Sequence, residues 1–238
     1  MTESAVAPKK SINAAVQALA AVLAVGGLGG AVWVMQKIEQ HRYGDRGPAV
    51  CSGTSDADLP AGYVSGAELC TALNRPDLPA LLGTPEESAL NAGGSVSWFT
   101  SAGGAKIGTP VAKVQLETYS VKLAASYDRL PVADMADYLG ATVQKTTFLG
   151  RPAVLSSDRT IAITFGAGQT GSGPGGIARH LIVAKDAQDG GGSFEVVIWR
   201  QDGRLPEDAA LLRTAEQVLP TVPGWAAEVS AGSGGPGV

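Results

Sequence analysis

Histidine is almost missing from this sequence: there are two in 238 residues, beside two cysteines and an aromatic content of 5%. That scarcity excludes a finger-like zinc site, because Cys51 and Cys70 have no nearby histidine to complete four ligands. Catalysis by a serine-histidine-acid set would have to use His180, since His41 falls in a polar stretch before the folded region. No G-x-S-x-G elbow accompanies it, and Ser172, Ser193 and Ser233 sit in glycine tracts as spacers. His180, inside a strand pattern, reads as a structural, paired residue. Charge is sparse as well, at 17% of residues with a net of -4. Five of the 18 basic residues and three of the 22 acidic ones precede Cys51, leaving 13 against 19 beyond it. An acidic domain has little with which to grip nucleic acid, so no such partner is expected. The acids match no D-x-D-x-D-G calcium loop, and neither a metal nor a cofactor is expected.

Glycine, by contrast, is abundant at 32 residues. The stretch "FGAGQTGSGPGG" (165–176) carries the G-x-G-x-x-G spacing in Gly166, Gly168 and Gly171. A dinucleotide site needs that spacing to close a strand and open a helix whose N-terminus meets the pyrophosphate. Here the glycines run on into another strand pattern, and Ser172 stands where a P-loop needs lysine. The stretch is therefore expected to be a flexible inter-strand loop, and "DGGGS" (189–193) a shorter turn.

Residues 11–36 carry no charge, and within them "AAVQALAAVLAVGGLGGAVWVM" (14–35) has Gln17 as its only plainly polar side chain. As a helix its 22 residues would extend about 33 Å, close to the roughly 30 Å hydrocarbon core of a bilayer. The stretch ends in Val32, Trp33, Val34 and Met35 instead of a small-residue cleavage site, which favours an uncleaved single-pass anchor over a signal peptide. Gly26 and Gly30 form a G-x-x-x-G pair, a candidate homodimer contact through the span. Lys9 and Lys10 on one side, with Lys37, Arg42 and Arg46 on the other, leave the orientation undecided by charge. Cys51 and Cys70 both lie beyond the span, and an even pair suits an oxidising compartment, placing the C-terminal part outside the cytoplasm. Joined, they would close a loop of about 20 residues and contribute roughly 3 kcal/mol. The alternative is two separate buried thiols.

The chain divides into a short cytoplasmic tail (1–13), the transmembrane helix (14–35), a linker (36–62), an extracytoplasmic α+β domain (63–226) and a disordered tail (227–238). In the domain, "SGAELCTALNRPDLPALLG" predicts two short helices closed by Gly83. "SVSWFT" (95–100) and "VAKVQLETYSVKLA" (111–124) predict strands, the second with a phase shift at Tyr119 that points to a bulge. "PVADMADYLG" (131–140) reads as a short helix. A bent pair around Gly150 and Pro152, then "TIAITF" (160–165), "ARHLIVAK" (178–185) and "SFEVVIWR" (193–200), follow without intervening helices, which implies an antiparallel sheet. "LPEDAALLRTAEQVLP" closes the domain as an amphipathic helix, with Trp225 packing nearby.

An apolar anchor, a cysteine, "GAELCTALNRPDLPALLG", the sheet and "LPEDAALLRTAEQVLP", taken in this order, resemble an uncharacterised actinobacterial family of membrane-anchored envelope proteins. The pattern is similar to lipoproteins with a PsbP-like fold, although the lipidated cysteine of those relatives is lacking here. The resemblance implies an α/β/α sandwich and supplies no catalytic residues to transfer. The expected function is a membrane-anchored extracytoplasmic binding or accessory domain of the cell envelope, not an enzyme, with an envelope protein or small ligand as partner and a pocket between sheet and helix as its site. The alternative is a hydrolase using carboxylates among Asp128, Asp134, Asp137, Asp158 and the turn acids Asp186 and Asp189.

Overall fold

The computed structural model describes residues 49–53, 59–100, 104, 106–139, 143–166 and 169–225, with backbone alone for 162–166 and 169–171. The expected cytoplasmic tail, the span with Gly26 and Gly30, the linker up to residue 48 and the C-terminal tail lie outside the described residues. Among the described residues no helix is long and apolar enough to cross a membrane. They belong to one compact unit, 46–238.

The fold is α+β. Eight strands are described: β1 (Cys51–Gly53), β2 (Asn91–Thr100), β3 (Lys106–Gln115), β4 (Tyr119–Ser126), β5 (Gln144–Phe148), β6 (Arg151–Gly166), β7 (Gln169–Ala184) and β8 (Ser193–Arg200). Four helices accompany them: α1 (Gly66–Leu73), α2 (Leu78–Leu82), α3 (Val132–Tyr138) and α4 (Asp208–Val218). The strands form a single sheet in the order β1-β2-β3-β4-β8-β7-β6-β5. The two halves of the chain meet where β4 lies antiparallel to β8, from Tyr119 opposite Arg200 to Ser126 opposite Ser193.

Three features depart from the sequence expectations. First, the sheet is mixed, not wholly antiparallel: β1, at residues expected to be linker, pairs parallel with β2, Cys51 opposite Ala92. The parallel crossover between them is made by α1 and α2, which is the kind of connection such a pair requires. Second, the phase shift at Tyr119 is a chain reversal instead of a bulge. Leu116 and Tyr119 are both buried, Leu116 donates its N–H to the Tyr119 carbonyl at 2.7 Å, and the Glu87 carboxylate takes the Thr118 N–H at 3.0 Å. Third, most of the glycine stretch is strand. β6 and β7 pair from Ala153 opposite Val183 out to Gly166 opposite Gln169, slipping register between Arg159 and Ile161. Main-chain hydrogen bonding builds such a ladder without side chains, so low β-propensity did not prevent it.

Alternation along the strands sorts the side chains onto two faces. Val114, Val121, Leu123, Leu181, Val183, Phe194, Val196 and Ile198 point to one face, where they meet Leu69, Leu73, Leu211, Ala215 and Trp225 in the main core. Helices α1, α2 and α4 cover that face. The opposite face carries a smaller cluster in which Val132 and Ala136 of α3 cover Val154, Ile182 and Ala184.

Local chemistry fixes the helix ends. Ser65 and Glu68 make a reciprocal capping box, with Ser65 Oγ accepting the Glu68 N–H at 3.1 Å and Glu68 Oε2 accepting the Ser65 N–H at 2.8 Å. Helix α1 then approaches β2 so closely that a Cβ on Gly94 would lie 2.0 Å from the Gly66 carbonyl oxygen. Cys51 and Cys70 are joined by a disulfide, S–S 2.04 Å, tying β1 to α1. Asn74 reinforces the tie by donating to the Ala49 carbonyl.

Candidate functional site

The pocket sought between sheet and helix lies on the face covered by α3. It is a cavity of about 150 Å³. Its apolar lining is Ala124, Ala125, Met135 and Ile182, and its polar lining is Thr109, Ser126, Ser193 and Glu195. β3, β4, β7 and β8 each contribute, and Met135 of α3 forms the cover.

Glu195 is the one ionisable group in that lining. Its strand reads Phe194, Glu195, Val196, Val197, Ile198, and the two-residue period turns Phe194, Val196 and Ile198 into the main core and Glu195 to the other side. There the neighbouring strands supply two partners. Lys122 Nζ of β4 reaches Glu195 Oε2 at 2.8 Å, and His180 Nδ1 of β7 lies 2.8 Å from Oε1. Burial pushes the Glu195 carboxyl up, but the His180 hydrogen bond and the charge and hydrogen bond of Lys122 outweigh it, holding the group down at about 2. The carboxylate is therefore ionised at neutral pH, compensated by one lysine. With Nδ1 turned to Glu195, His180 Nε2 is buried and finds no hydrogen-bond partner among the described residues.

Helix α3 is held over the cavity from a distance. Asp189, in the turn between β7 and β8, accepts the Val132 N–H at 2.7 Å and the Ala133 N–H at 2.9 Å. It thereby satisfies two of the donors that the first turn of α3 leaves free. The "DGGGS" segment is a turn, as expected, and in addition serves as an external cap for a helix more than fifty residues earlier.

A larger open groove of about 620 Å³ runs along α1 and the α1–α2 connection to Thr221 and Pro223. Its charged groups are committed to the fold: Arg75 grips Asp77 at 2.5 and 2.8 Å and donates to the Gln217 carbonyl, while Glu68 closes the capping box. The α3 cavity is smaller but has a half-buried carboxylate in its lining, and for that reason it is the better candidate.

The residues singled out by sequence fall elsewhere. Cys51 and Cys70 form the disulfide. His180 lies beside the site, paired to Glu195. Gly166 and Gly171 are strand residues at the far end of the β6/β7 hairpin. Of the acids considered for hydrolysis, Asp128 accepts from Ser126 Oγ and the Leu130 N–H, Asp137 pairs with Lys145 at the surface, and Asp186 accepts from the Gln188 and Gly190 amides. Motif and spacing do not single out Lys122 or Glu195. A signal for them exists nonetheless: Lys122 is the lone charge in "SVKLAAS", and Glu195 is the lone acid in "SFEVVIWR".

A family model matches residues 9–142, more than half of the sequence. The chain belongs to a family of unknown function, DUF6215. No curated protein and no solved structure matches it. The family match runs from before the apolar segment through α3 and so takes in Thr109, Lys122, Ala124, Ser126 and Met135. It ends before β5, so His180, Ile182, Ser193 and Glu195 lie beyond the family model.

Proposed function

We propose that the protein is a membrane-anchored binding or accessory module of the cell envelope, held by residues 14–35 as a single uncleaved span, with the α+β domain outside the cytoplasm. The observation that carries this reading is the Cys51–Cys70 disulfide, which uses both cysteines of the chain and begins sixteen residues after the apolar segment. A pairing of this kind persists in oxidising compartments. The helices on both faces of the sheet support the PsbP-like α/β/α likeness to actinobacterial envelope proteins. The α3 cavity supports binding: its lining combines an apolar side with one carboxylate that Lys122 and His180 already hold.

The test is labelling of intact cells with a membrane-impermeant thiol reagent, with and without prior reduction, read at Cys51 and Cys70 by mass spectrometry. Labelling only after reduction is the expected result. Free thiols reached only after lysis would place the domain in the cytoplasm and end this reading.

A further inference from the structure

The chemistry of the α3 cavity narrows what it can hold. A volume of about 150 Å³ accommodates a molecule of roughly five to eight non-hydrogen atoms, since an apolar cavity of that size takes benzene. Ala124, Met135 and Ile182 provide contact for an apolar body. At the polar end, each Glu195 oxygen already has one partner, His180 on Oε1 and Lys122 on Oε2. A carboxylate has about four lone-pair sites, so acceptor capacity remains.

Charge decides the head group. An incoming carboxylate or phosphate would meet the Glu195 carboxylate with no cation in the lining to offset it. An incoming ammonium would add a second cation to a carboxylate that Lys122 Nζ already neutralises at 2.8 Å. Both leave an uncompensated charge against a half-buried ion pair, where taking charge out of water is costly. A hydroxyl donates a hydrogen bond to Glu195 and adds no charge.

We propose that the α3 cavity binds a small uncharged molecule with a hydroxyl head on Glu195 and a body of a few carbons against Ala124, Met135 and Ile182. This deepens the binding-module reading and rests on it. The reporter is built in, because the chain has three methionines and, among the described residues, only Met135 lines the cavity. The full-length protein, reconstituted in lipid nanodiscs and labelled with 13C at its methionine methyls, is titrated at neutral pH with 1-butanol, n-butylamine and sodium butyrate. The Met135 resonance is assigned by its loss in Met135→Leu.

The expected result is a saturable Met135 shift with 1-butanol and affinities at least tenfold weaker for the amine and the acid. Ala124→Leu, which fills the cavity, abolishes the butanol shift while the spectrum stays dispersed. Glu195→Gln reduces the discrimination against butyrate. Butyrate or butylamine binding as well as butanol overturns the ligand class but leaves a binding module standing. No saturable shift with any of the three removes the cavity as a ligand site and takes the binding reading's structural support with it.

Discussion

The Asp189 carboxylate accepts the backbone N–H of Val132 across 57 residues of sequence, at 2.7 Å, and with its second oxygen takes the Ala133 N–H. One side chain in a strand-to-strand turn thus fixes the start of the helix that covers the cavity. Asp189 adopts φ 55° to do so, in the left-handed region that aspartate and asparagine tolerate better than most residues.

Replacing Asp189 with alanine is expected to cost about 1 to 2 kcal/mol, the usual loss for a helix cap, and to raise hydrogen exchange selectively at the first amides of α3. Asp189→Asn keeps one acceptor oxygen and the backbone preference, so its loss should be smaller. Denaturant melts of the two variants, with exchange mapped along 130–138, check the order.

The α1 approach to β2 makes a sharper prediction. Gly94→Ala places a Cβ against the Gly66 carbonyl carbon and oxygen at 2.3 and 2.0 Å, where the obstacle is backbone and cannot rotate away. A loss of about 3 kcal/mol or more is expected, at the upper end for overpacking. Gly173→Ala has nothing within 4 Å of the new atom. Its thermal melt should stay close to that of the parent.

Reduction of Cys51–Cys70 should cost roughly 3 kcal/mol on the chain-entropy model and free β1 from the sheet edge before the rest unfolds. Comparing denaturation midpoints with and without reductant, and exchange at residues 49–53, reads both effects.

Glu195 sets a pH dependence whose sign follows from its lowered carboxyl. A depressed folded-state value contributes stability above the unfolded value of 4.5, and that contribution fades as pH falls toward about 2. The share should be no more than roughly 3 kcal/mol, since each tenfold difference in proton affinity between the folded and unfolded chain is worth about 1.4 kcal/mol. Glu195→Gln should flatten the stability profile between pH 5 and 2. A variant that keeps the parent's slope there would assign the acid sensitivity to other carboxylates.

Much of the architecture is legible in local pattern. Leu69 and Leu73 on one side of α1, Gly83 as a left-handed cap after α2 and the apolar face of α4 at Leu211, Ala215 and Val218 all stand where helical spacing puts them. The turn at Leu149 and Gly150, with φ 48° and 78°, sits where the bent strand pair is expected. The β3/β4 reversal looks like a bulge in sequence because both events shift the apolar phase by the same amount. The glycine stretch looks like a loop because side-chain pattern is silent where the backbone ladder does the pairing.

By itself the sequence determined the apolar segment at 14–35, the positions of the helices and most strands, and which side chains of each strand share a face. Those follow from spacing along one stretch of chain. The tertiary structure decided which strands are neighbours, and with that the site. Lys122, His180 and Glu195 lie on strands β4, β7 and β8, and only the order β4-β8-β7 brings them into hydrogen-bond reach. Period-two alternation says which face a residue takes; it carries no information about the strand beside it, because that choice is made by hydrogen bonds between segments far apart in sequence.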